Sequence, residues 1–533
     1  MEQKRWFYSY PEGVEATINL DIPDISLIDF LEDSIKNKPF HPALVFEGIT
    51  YNYKELGENV RKIASCLDEK GVKKGTRVSL MMNNSPDLIF SYYAVLFLGG
   101  IIVQNNPMYK ERELNYQLKD SGSEFLIIEK KILETLSLEE ISVKNLIVAR
   151  ASNSEKFDTI SNLIEKGTNE FSSANINPRE DIAVLQYTGG TTGVSKGVKL
   201  THLNLVSNVI QTDKFMGVYC KVGNERILNV LPLFHVYGMT VSMNLCFYLQ
   251  STLYLVERFD AENILSLIHQ EEITMFPGTP TIYVAVNADE SIEKYNLSSI
   301  HTCISGSAPL SKEIKYKFET LTGAKLVDAY GLSEASPVTH SNPVNGEQKP
   351  NSMGLPVPGT DCKIVDAEEG WDEMEINEPG ELIVKGPQVM MGYWNMDEET
   401  QNALRNGWLY TGDIAYMDEA GYCFIVSRKK DVILASGYSV FPREVEETIY
   451  EHPAVEEVIV CGIPDNYRGE AVKAYIIKSE KKEDFTEKDI KDFCEKRLAK
   501  YKTPNYVEFR TQLPKSTVGK ILRRKLIEEE LNN

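Results

Sequence analysis

The segment YTGGTTGVSKGV, at residues 187–198, follows the apolar, strand-like run DIAVLQY and carries the strongest signal in the chain. Its glycines let the backbone bend so that N–H groups converge, and its hydroxyls and lysine add further donors. Such a loop after a buried strand predicts a phosphate-binding site. It is not a Walker loop, because Ser195 precedes Lys196 and Gly197 follows it. A short glycine-rich loop taken alone would instead indicate a flexible turn.

Helix-like and strand-like segments alternate on the N-terminal side of this loop. Residues 51–71 predict an amphipathic helix that ends at Gly71. The runs TRVSLMM, LGGIIVQNN and EFLIIEK are short, apolar and bounded by turn residues, which is typical of strands. The alternation predicts an α/β architecture with mainly parallel sheets. Residues 151–180 are polar and predict a surface connection.

The composition is that of a globular protein. The chain has 533 residues, 42% of them hydrophobic and 25% charged, and a formal net charge of −21. These values exclude a disordered, collagen-like or small disulfide-stapled protein, and the length predicts at least two domains. The acidic balance argues against a nucleic-acid binder. The eight cysteines form no CxxC pair, and the N-terminus has no apolar signal-peptide core, so we expect a reducing cytoplasm.

Two uncharged runs, residues 88–104 and 231–256, have to be considered as membrane spans. The first is short and is interrupted by two glycines. The second contains proline, histidine, asparagine and glutamine, which are costly in lipid. We therefore predict that both are buried core. Peripheral association with the inner face of a membrane stays open, as does a homodimer.

The pattern of residue types changes near the C-terminus. The basic segment SRKKD at residues 427–431 follows a strand-like run, and the residues after it suffice for a small domain. We predict a boundary between residues 429 and 430. A basic cluster follows at Lys515, Lys520, Arg523, Arg524 and Lys525. A charge run of this kind is most often a solvated face.

Three further motifs carry side chains that suit nucleotide binding. DAYGLSE, residues 328–334, offers an aromatic face for a base and a carboxylate, Glu334, that suits Mg²⁺. YTGD, residues 410–413, offers an aspartate for ribose hydroxyls, and LPKSTVGKILRR, residues 513–524, presents Lys520 after a turn. Each is weak in isolation.

Together and in this order, the four motifs resemble the adenylate-forming superfamily of acyl-CoA synthetases, nonribosomal-peptide adenylation domains and beetle luciferases. The resemblance extends from about residue 50 to residue 525 and is strongest to bacterial long-chain fatty-acid–CoA ligases. That narrower likeness rests on the segments LPLFHVYGMT, YGLSEASPVTHSNP, VKGPQVMMGYWN, GWLYTGD, RKKDVILASGYSVFPREVE and LPKSTVGKILRR.

The resemblance implies an α/β fold with two parts. Residues 1–429 would form a large N-terminal ATP- and acyl-binding domain of stacked αβ sheets with a β-barrel-like subdomain. Residues 430–533 would form a small mobile α+β domain that carries the catalytic lysine. The reaction would join a carboxylate to AMP, with release of pyrophosphate, and then transfer the acyl group to CoA, so ATP, Mg²⁺ and CoA are the expected cofactors.

The resemblance also implies roles for individual residues. Lys520 would stabilise charge in the first half-reaction, while Thr188 and Glu334 would position Mg²⁺. His235 would lie between the acyl pocket and the phosphates, although a lone histidine in an apolar run is more often a core residue. The acyl pocket would comprise His235, Tyr237, Pro337 and Val338. The residues that bind ATP or CoA would be Thr188, Gly189, Gly190, Thr191, Thr192, Gly193, Ser195, Lys196, Gly306, Ser307, Asp328, Tyr330, Gly331, Asp413, Arg428, Lys430 and Gly437.

Within that set, Tyr330 would stack on adenine near Gly306 and Ser307, and Asp413 and Arg428 would bind the ribose. Lys430 matches the hinge position of the family, and Gly437 the position that lets the pantetheine arm of CoA pass.

The alternative function is that of an adenylate-forming enzyme that activates aryl acids or loads a carrier protein. A non-catalytic nucleotide or acyl binder is disfavoured, because such a protein would not require Lys520.

Overall fold

Helix α2, Tyr53–Glu69, illustrates how local sequence produces the elements of this fold. Its N-terminus is closed by a capping box between Asn52 and Glu55, and Gly71, beyond its end, has a φ of +94°. Leu56, Val60, Ile63 and Leu67 recur at helical spacing and are fully buried. The helix predicted over residues 51–71 is therefore confirmed.

A computed structural model of the chain describes residues 4–152, 154, 156–188, 195–216, 220–308, 310–435, 438–465, 469–479, 485–515 and 521–531, without the side chains of residues 439 and 469. Its α-helices are α1 (Leu27–Asn37), α2, α3 (Pro86–Phe97), α4 (Glu111–Ser121), α5 (Lys130–Leu133), α6 (Ile160–Lys166), α7 (His202–Met216), α8 (Leu245–Tyr248), α9 (Ala261–Glu271), α10 (Pro280–Ala288), α11 (Lys312–Thr322), α12 (Asp397–Ala403), α13 (Pro442–Tyr450), α14 (Glu487–Glu495) and α15 (Arg523–Leu531). A π-helix spans Gly238–Asn244.

The strands are β1 (Pro42–Phe46), β2 (Ile49–Asn52), β3 (Arg77–Met81), β4 (Ile101–Gln104), β5 (Phe125–Glu129), β6 (Asn145–Ala149), β7 (Asp158–Thr159), β8 (Ile182–Thr188), β9 (Lys196–Thr201), β10 (Arg226–Asn229), β11 (Thr252–Leu255), β12 (Thr302–Ser305), β13 (Lys325–Gly331), β14 (Val338–Ser341), β15 (Leu355–Pro356), β16 (Asp361–Val365), β17 (Gly380–Lys385), β18 (Gly392–Tyr393), β19 (Leu404–Arg405), β20 (Trp408–Met417), β21 (Cys423–Arg428), β22 (Ile433–Ala435), β23 (Tyr438–Val440), β24 (Val455–Asp465), β25 (Gly469–Lys478) and β26 (Tyr506–Arg510).

The chain divides into two units, residues 1–361 with 384–409, and residues 362–383 with 410–533. The first unit contains an eight-stranded sheet of order β18-β9-β8-β4-β3-β5-β6-β7. Its strands from β8 to β7 run parallel, whereas β9 and β18 are antiparallel additions. Because parallel strands end at one edge, the loop after β8 lies at the edge where α/β sheets usually bind ligands.

Two four-stranded sheets complete the first unit. One has the order β10-β11-β1-β2 and the other β12-β13-β14-β15. Met275 forms parallel bridges to Ile227 of β10 and Thr302 of β12, which links the two sheets. The core between them is built from aromatic and branched side chains, among them Phe276, Tyr283 and Phe318.

The second unit contains its own two sheets. Strands β16, β17, β20 and β21 pair in one, and β22 to β26 form a mixed five-stranded sheet with α13 to α15. Val445, Ile449 and Ile490 of the helices pack on the apolar face of that five-stranded sheet. The mixed α/β fold with a smaller C-terminal part is confirmed, whereas the boundary at residues 429 and 430 and the barrel-like shape stay predictions.

Two expectations about individual segments have different outcomes. Residues 88–104 are buried throughout, residues 231–256 are largely buried, and no helix in the described part of the chain is long and apolar enough to cross a membrane. The polar connection expected at residues 151–180 is instead interrupted by β7 and α6. Helix α6 buries only Ile160 and Leu163, so its sequence carries little helical periodicity.

Candidate active site

The predicted phosphate loop begins and ends on a pair of antiparallel strands. Tyr187 pairs with Gly197 and Thr188 with Lys196 across β8 and β9. The Ser195 hydroxyl also donates to the Thr188 carbonyl oxygen at 2.6 Å. The two arms are thus fixed next to each other. The predicted residues between them, Gly189, Gly190, Thr191, Thr192 and Gly193, lie outside the described residues.

Helix α4 supports both arms of this loop. Tyr116 donates its hydroxyl to the Ser195 carbonyl oxygen at 2.9 Å, on the β9 side. Tyr187 donates its hydroxyl to Asp120 Oδ2 at 2.6 Å, on the β8 side. Burial, together with the Asp120 carboxylate, raises the pKa of Tyr187, so this phenol stays protonated and remains a donor.

The segment after β18 also contacts both α4 and β9. Trp394 donates its indole N–H to the Asp120 carbonyl oxygen at 3.0 Å and its backbone N–H to the Gly197 carbonyl oxygen at 2.7 Å. A Cβ on Gly197 would lie 3.1 Å from the Tyr187 ring and 3.3 Å from Cβ of Trp394. A side chain at this position would require Tyr187 or Trp394 to shift by a few tenths of an ångström.

Glu334 lies in a short 3₁₀ turn, Ser333–Ala335, that packs against β9. Tyr393 donates its hydroxyl to Glu334 Oε1 at 2.9 Å, and Lys196 Nζ lies 5.0 Å from the centre of the Tyr393 ring. Burial and the Glu334 carboxylate raise the pKa of Tyr393, which keeps its hydroxyl protonated. Lys196 and Glu334, both predicted site residues, are thus joined through one tyrosine.

The residues predicted around adenine follow two neighbouring parallel strands. Ser305 at the end of β12 is in register with Asp328 in β13, so Gly306 follows β12 at the edge towards which the last residues of β13, Tyr330 among them, extend. Ser307 has a φ of +73°, in the left-handed region that non-glycine residues seldom adopt. Tyr330 is half-buried, and its ring packs edge-on against His340 at 6.0 Å.

Two glycines in this region are closely packed, and Gly331 has no room for a side chain. A Cβ on Gly331 would lie 2.2 Å from the Pro337 carbonyl oxygen, and one on Gly306 would lie 3.1 Å from the Tyr237 ring. These contacts bring predicted nucleotide residues against predicted acyl-pocket residues.

The acyl-pocket candidates are uncharged and mostly buried. Tyr237 donates its hydroxyl to the Ile304 carbonyl oxygen at 2.7 Å, which fixes its ring. His235 accepts the Tyr237 backbone N–H through Nδ1 at 3.2 Å, and burial lowers the pKa of His235 to about 4. Its imidazole is therefore neutral near pH 7. A small cavity nearby is lined by Thr212, Phe215, Met216, Ile304, Ala329, Val338, Ser341 and Val357.

In the second unit, the two predicted ribose residues form an ion pair. Asp413 and Arg428 are register partners on β20 and β21, and Arg428 Nε lies 2.6 Å from Asp413 Oδ1. The Asp413 side chain is fully buried. Lys430 follows in a 3₁₀ turn, and burial lowers its pKa. Gly437 and Lys520 lie outside the described residues.

Comparison with known proteins identifies the family. The AMP-binding enzyme family matches residues 31–394, and the AMP-binding enzyme C-terminal domain matches residues 444–520. The chain belongs to the AMP-binding enzymes. It is 45% identical to the long-chain-fatty-acid–CoA ligase of Bacillus subtilis (strain 168), over 100% of this chain and 99% of that relative. It is 37% identical to the ligase of the same name from Escherichia coli O6:H1, over 99% of this chain and 98% of the relative.

Solved structures resemble this AMP-binding enzyme over nearly its whole length. The ATP-bound MatB from Rhodopseudomonas palustris has a TM-score of 0.85 and 27% identity, and the alignment covers 95% of this chain and 98% of that one. The anthranilate CoA ligase AuaEII in complex with anthranoyl-AMP has a TM-score of 0.86 and 28% identity, with 96% and 98% covered.

Sequence reasoning did not single out the side chains that support the site of this AMP-binding enzyme. Tyr393 is 59 residues from Glu334, and Asp120 is 67 residues from Tyr187. Contacts at such separations leave no local spacing signal. Tyr393 does lie in the segment VKGPQVMMGYWN, so its motif was visible although its partner was not.

Proposed function

We propose that this AMP-binding enzyme is an ATP-dependent fatty acid–CoA ligase for medium- to long-chain acids. The observation that carries the proposal is 37–45% identity, over essentially the whole chain, to long-chain-fatty-acid–CoA ligases. In the first half-reaction a carboxylate oxygen attacks the α-phosphorus of ATP and pyrophosphate leaves. In the second, the CoA sulfur attacks the acyl carbon, the thiol loses its proton, and AMP leaves.

The clamped arms of the phosphate loop support a role in holding the β- and γ-phosphates. Thr188, Ser195 and Lys196 flank the loop, and their positions are set by strand pairing and by α4. A binding loop whose ends are already fixed loses less conformational entropy when ATP binds.

Thr188 and Glu334 would hold Mg²⁺, and their chemistry fits that ion. Hydroxyl and carboxylate oxygens are the donors that Mg²⁺ prefers. Glu334 is half-buried, and one hydroxyl hydrogen bond leaves most lone pairs of its carboxylate for other partners. When bound, the metal would neutralise charge on the leaving pyrophosphate.

Separate residues would contact the base and the ribose of the nucleotide. Tyr330 would stack on adenine beside Gly306 and Ser307, and Asp413 would accept hydrogen bonds from the ribose with Arg428 next to it. The ion pair between Asp413 and Arg428 supports this role, because it fixes the carboxylate in one orientation.

The acyl tail would enter the apolar region near Tyr237, Pro337 and Val338. The neutral His235 imidazole suits the boundary between a hydrocarbon tail and the phosphates, because it can form a hydrogen bond without burying a charge.

Lys520 would bridge the incoming carboxylate and ATP and stabilise charge at the reacting phosphorus. The residues after Lys430 would then rotate to admit CoA past Gly437, with a few backbone dihedrals at Lys430 absorbing the motion. A cytoplasmic location, peripheral contact with the inner membrane face and a homodimer stay predictions.

The test is AMP release by the purified protein with and without CoA. The substrates are butyrate, octanoate, palmitate and oleate, with benzoate and cinnamate as aryl controls. We expect CoA-dependent release that peaks on the longer aliphatic acids. Adenylation without thioester formation would indicate a carrier-loading enzyme, and a preference for benzoate would indicate an aryl-acid ligase.

A further inference from the structure

Tyr393 occupies a position that the main chain fixes on both sides. It pairs with Val198 in the antiparallel ladder of β9 and β18, and the next residue, Trp394, donates its N–H to the Gly197 carbonyl oxygen at 2.7 Å. The Tyr393 side chain is buried, with 8% of the residue exposed. The backbone of Tyr393 is therefore held by strand pairing.

The same segment holds Glu334 at two points. The Met390 backbone N–H donates to the Glu334 carbonyl oxygen at 2.8 Å, and the Tyr393 hydroxyl donates to Glu334 Oε1 at 2.9 Å. One bond fixes the backbone of the glutamate and the other fixes the direction of its carboxylate. A glutamate side chain without such support would sample several rotamers.

The face of the Tyr393 ring lies against Lys196. Lys196 Nζ lies 5.0 Å from the ring centre, within the range in which an ammonium is attracted by an aromatic face. Tyr393 thus contacts a predicted phosphate-binding cation with its ring and a predicted metal ligand with its hydroxyl.

We propose that Tyr393 is a positioning residue of the ATP site. Its hydroxyl orients the Glu334 carboxylate for Mg²⁺, and its ring holds the Lys196 ammonium beside the phosphate loop. The proposal rests on the proposed function, since it assigns Glu334 and Lys196 to Mg·ATP. Groups that orient a metal ligand commonly matter almost as much as the ligand itself.

A purely structural role for Tyr393 predicts a different result. Buried tyrosine hydroxyls usually need an acceptor, and a carboxylate can serve as one without any function. In that case removal of the hydroxyl lowers stability and leaves nucleotide binding unchanged. A positioning role predicts weaker binding that depends on Mg²⁺.

The test compares Tyr393→Phe with the unmodified full-length protein. The probe is α,β-methylene-ATP, which cannot transfer its adenylyl group, and its binding is measured by calorimetry with and without Mg²⁺. We expect the dissociation constant with Mg²⁺ to rise about tenfold or more. Binding without Mg²⁺ should be unchanged, because phenylalanine keeps the ring that faces Lys196. Tyr393→Leu should weaken binding under both conditions.

Two further variants separate positioning from packing. Glu334→Gln combined with Tyr393→Phe should bind the probe no more weakly than Glu334→Gln alone, because both act through one carboxylate. Tyr53→Phe is the matched control, since its fully buried hydroxyl donates to the Ser251 carbonyl oxygen at 2.7 Å. It should lower the melting temperature without changing binding.

The outcomes are distinct. A Tyr393→Phe protein that binds Mg·probe as tightly as the unmodified protein overturns the inference, whatever its melting temperature. An unmodified protein that binds no probe and releases no AMP with any fatty acid overturns the proposed function, and the inference with it.

Discussion

Tyr187 and Asp120 join the strand that enters the phosphate loop to helix α4, through a hydroxyl–carboxylate bond of 2.6 Å. Asp120 accepts from Trp394 Nε1 and Asn395 Nδ2 through its carbonyl oxygen, both at 3.0 Å. One residue of α4 therefore contacts both β8 and the segment after β18. Helix α4, which carries none of the predicted site residues, therefore supports the loop that would bind ATP.

Tyr187→Phe removes the link to the Asp120 carboxylate and keeps the buried ring. We expect a loss of about 1.5 kcal/mol in unfolding free energy, the usual size for a hydrogen bond to a charged group. Because the β8 arm is less firmly held, KM for ATP should rise about fivefold, equivalent to about 1 kcal/mol. Urea unfolding and steady-state AMP release measure the two effects. An unchanged KM would mean that α4 supports the fold but not the loop.

Arg428→Ala leaves the fully buried Asp413 carboxylate without its guanidinium. Breaking a fully buried pair costs roughly 3–5 kcal/mol, but Arg428 is 37% exposed and water screens part of the interaction. We therefore expect the unfolding free energy to fall by about 2 kcal/mol, and ATP to bind more weakly. Arg428→Lys should restore part of the lost stability. Arg443→Ala is the control, because its partner Glu447, one turn along α13, is 52% exposed, and a helical pair of this kind should contribute under about 1 kcal/mol. Equal losses in the two variants would contradict the prediction.

The elements of the fold were predictable where short-range pattern decides them. The helix over residues 51–71 is marked by its cap, its apolar spacing and its terminal glycine, and the apolar runs around β3, β4, β5 and β8 are buried strands. Helix α6 was missed because it is short and buries few apolar residues.

The contacts that shape the candidate site depend on tertiary structure. Asp413 and Arg428 were both singled out, but their pairing follows from strand register, which no motif reports. The same holds in the second unit for Arg523, whose guanidinium donates to Asp431, 92 residues away, at 2.6 Å and to Glu446 at 2.7 Å. Motifs identified the chemical groups, and only the fold shows what holds them.

Lys520→Ala should separate the two half-reactions. We expect acyl-AMP formation from fatty acid and ATP to fall by a factor of about 10²–10³, because a cation that stabilises developing charge is lost. Thioester formation from supplied acyl-AMP and CoA should be largely retained, since that step forms no bond to phosphorus. Pyrophosphate release and thioester yield are the two readouts. Lys525→Ala, at an exposed position of α15, is the control. Equal loss in both half-reactions would contradict the assigned role.

His202 should make the first unit less stable in acid. It is 1% exposed, its Nδ1 accepts the Leu27 backbone N–H at 3.3 Å, and burial lowers its pKa from 6.5 to about 4. Between these pH values the unfolded chain takes up a proton that the folded chain does not, so stability falls as the pH drops from about 6.5 towards 4. At 1.36 kcal/mol per pKa unit, the unfolding free energy should fall by about 3 kcal/mol over this range.

His202→Asn keeps an acceptor for the Leu27 N–H and removes the titrating ring. The variant should therefore lose less stability than the unmodified protein between pH 6.5 and 4, measured as the urea midpoint at each pH. His269→Asn is the matched control, because exposed His269 also accepts a backbone N–H through Nδ1, from Asn296 at 3.2 Å. That variant should follow the pH profile of the unmodified protein. If His202→Asn follows it as well, burial of His202 does not govern the acid sensitivity of the fold.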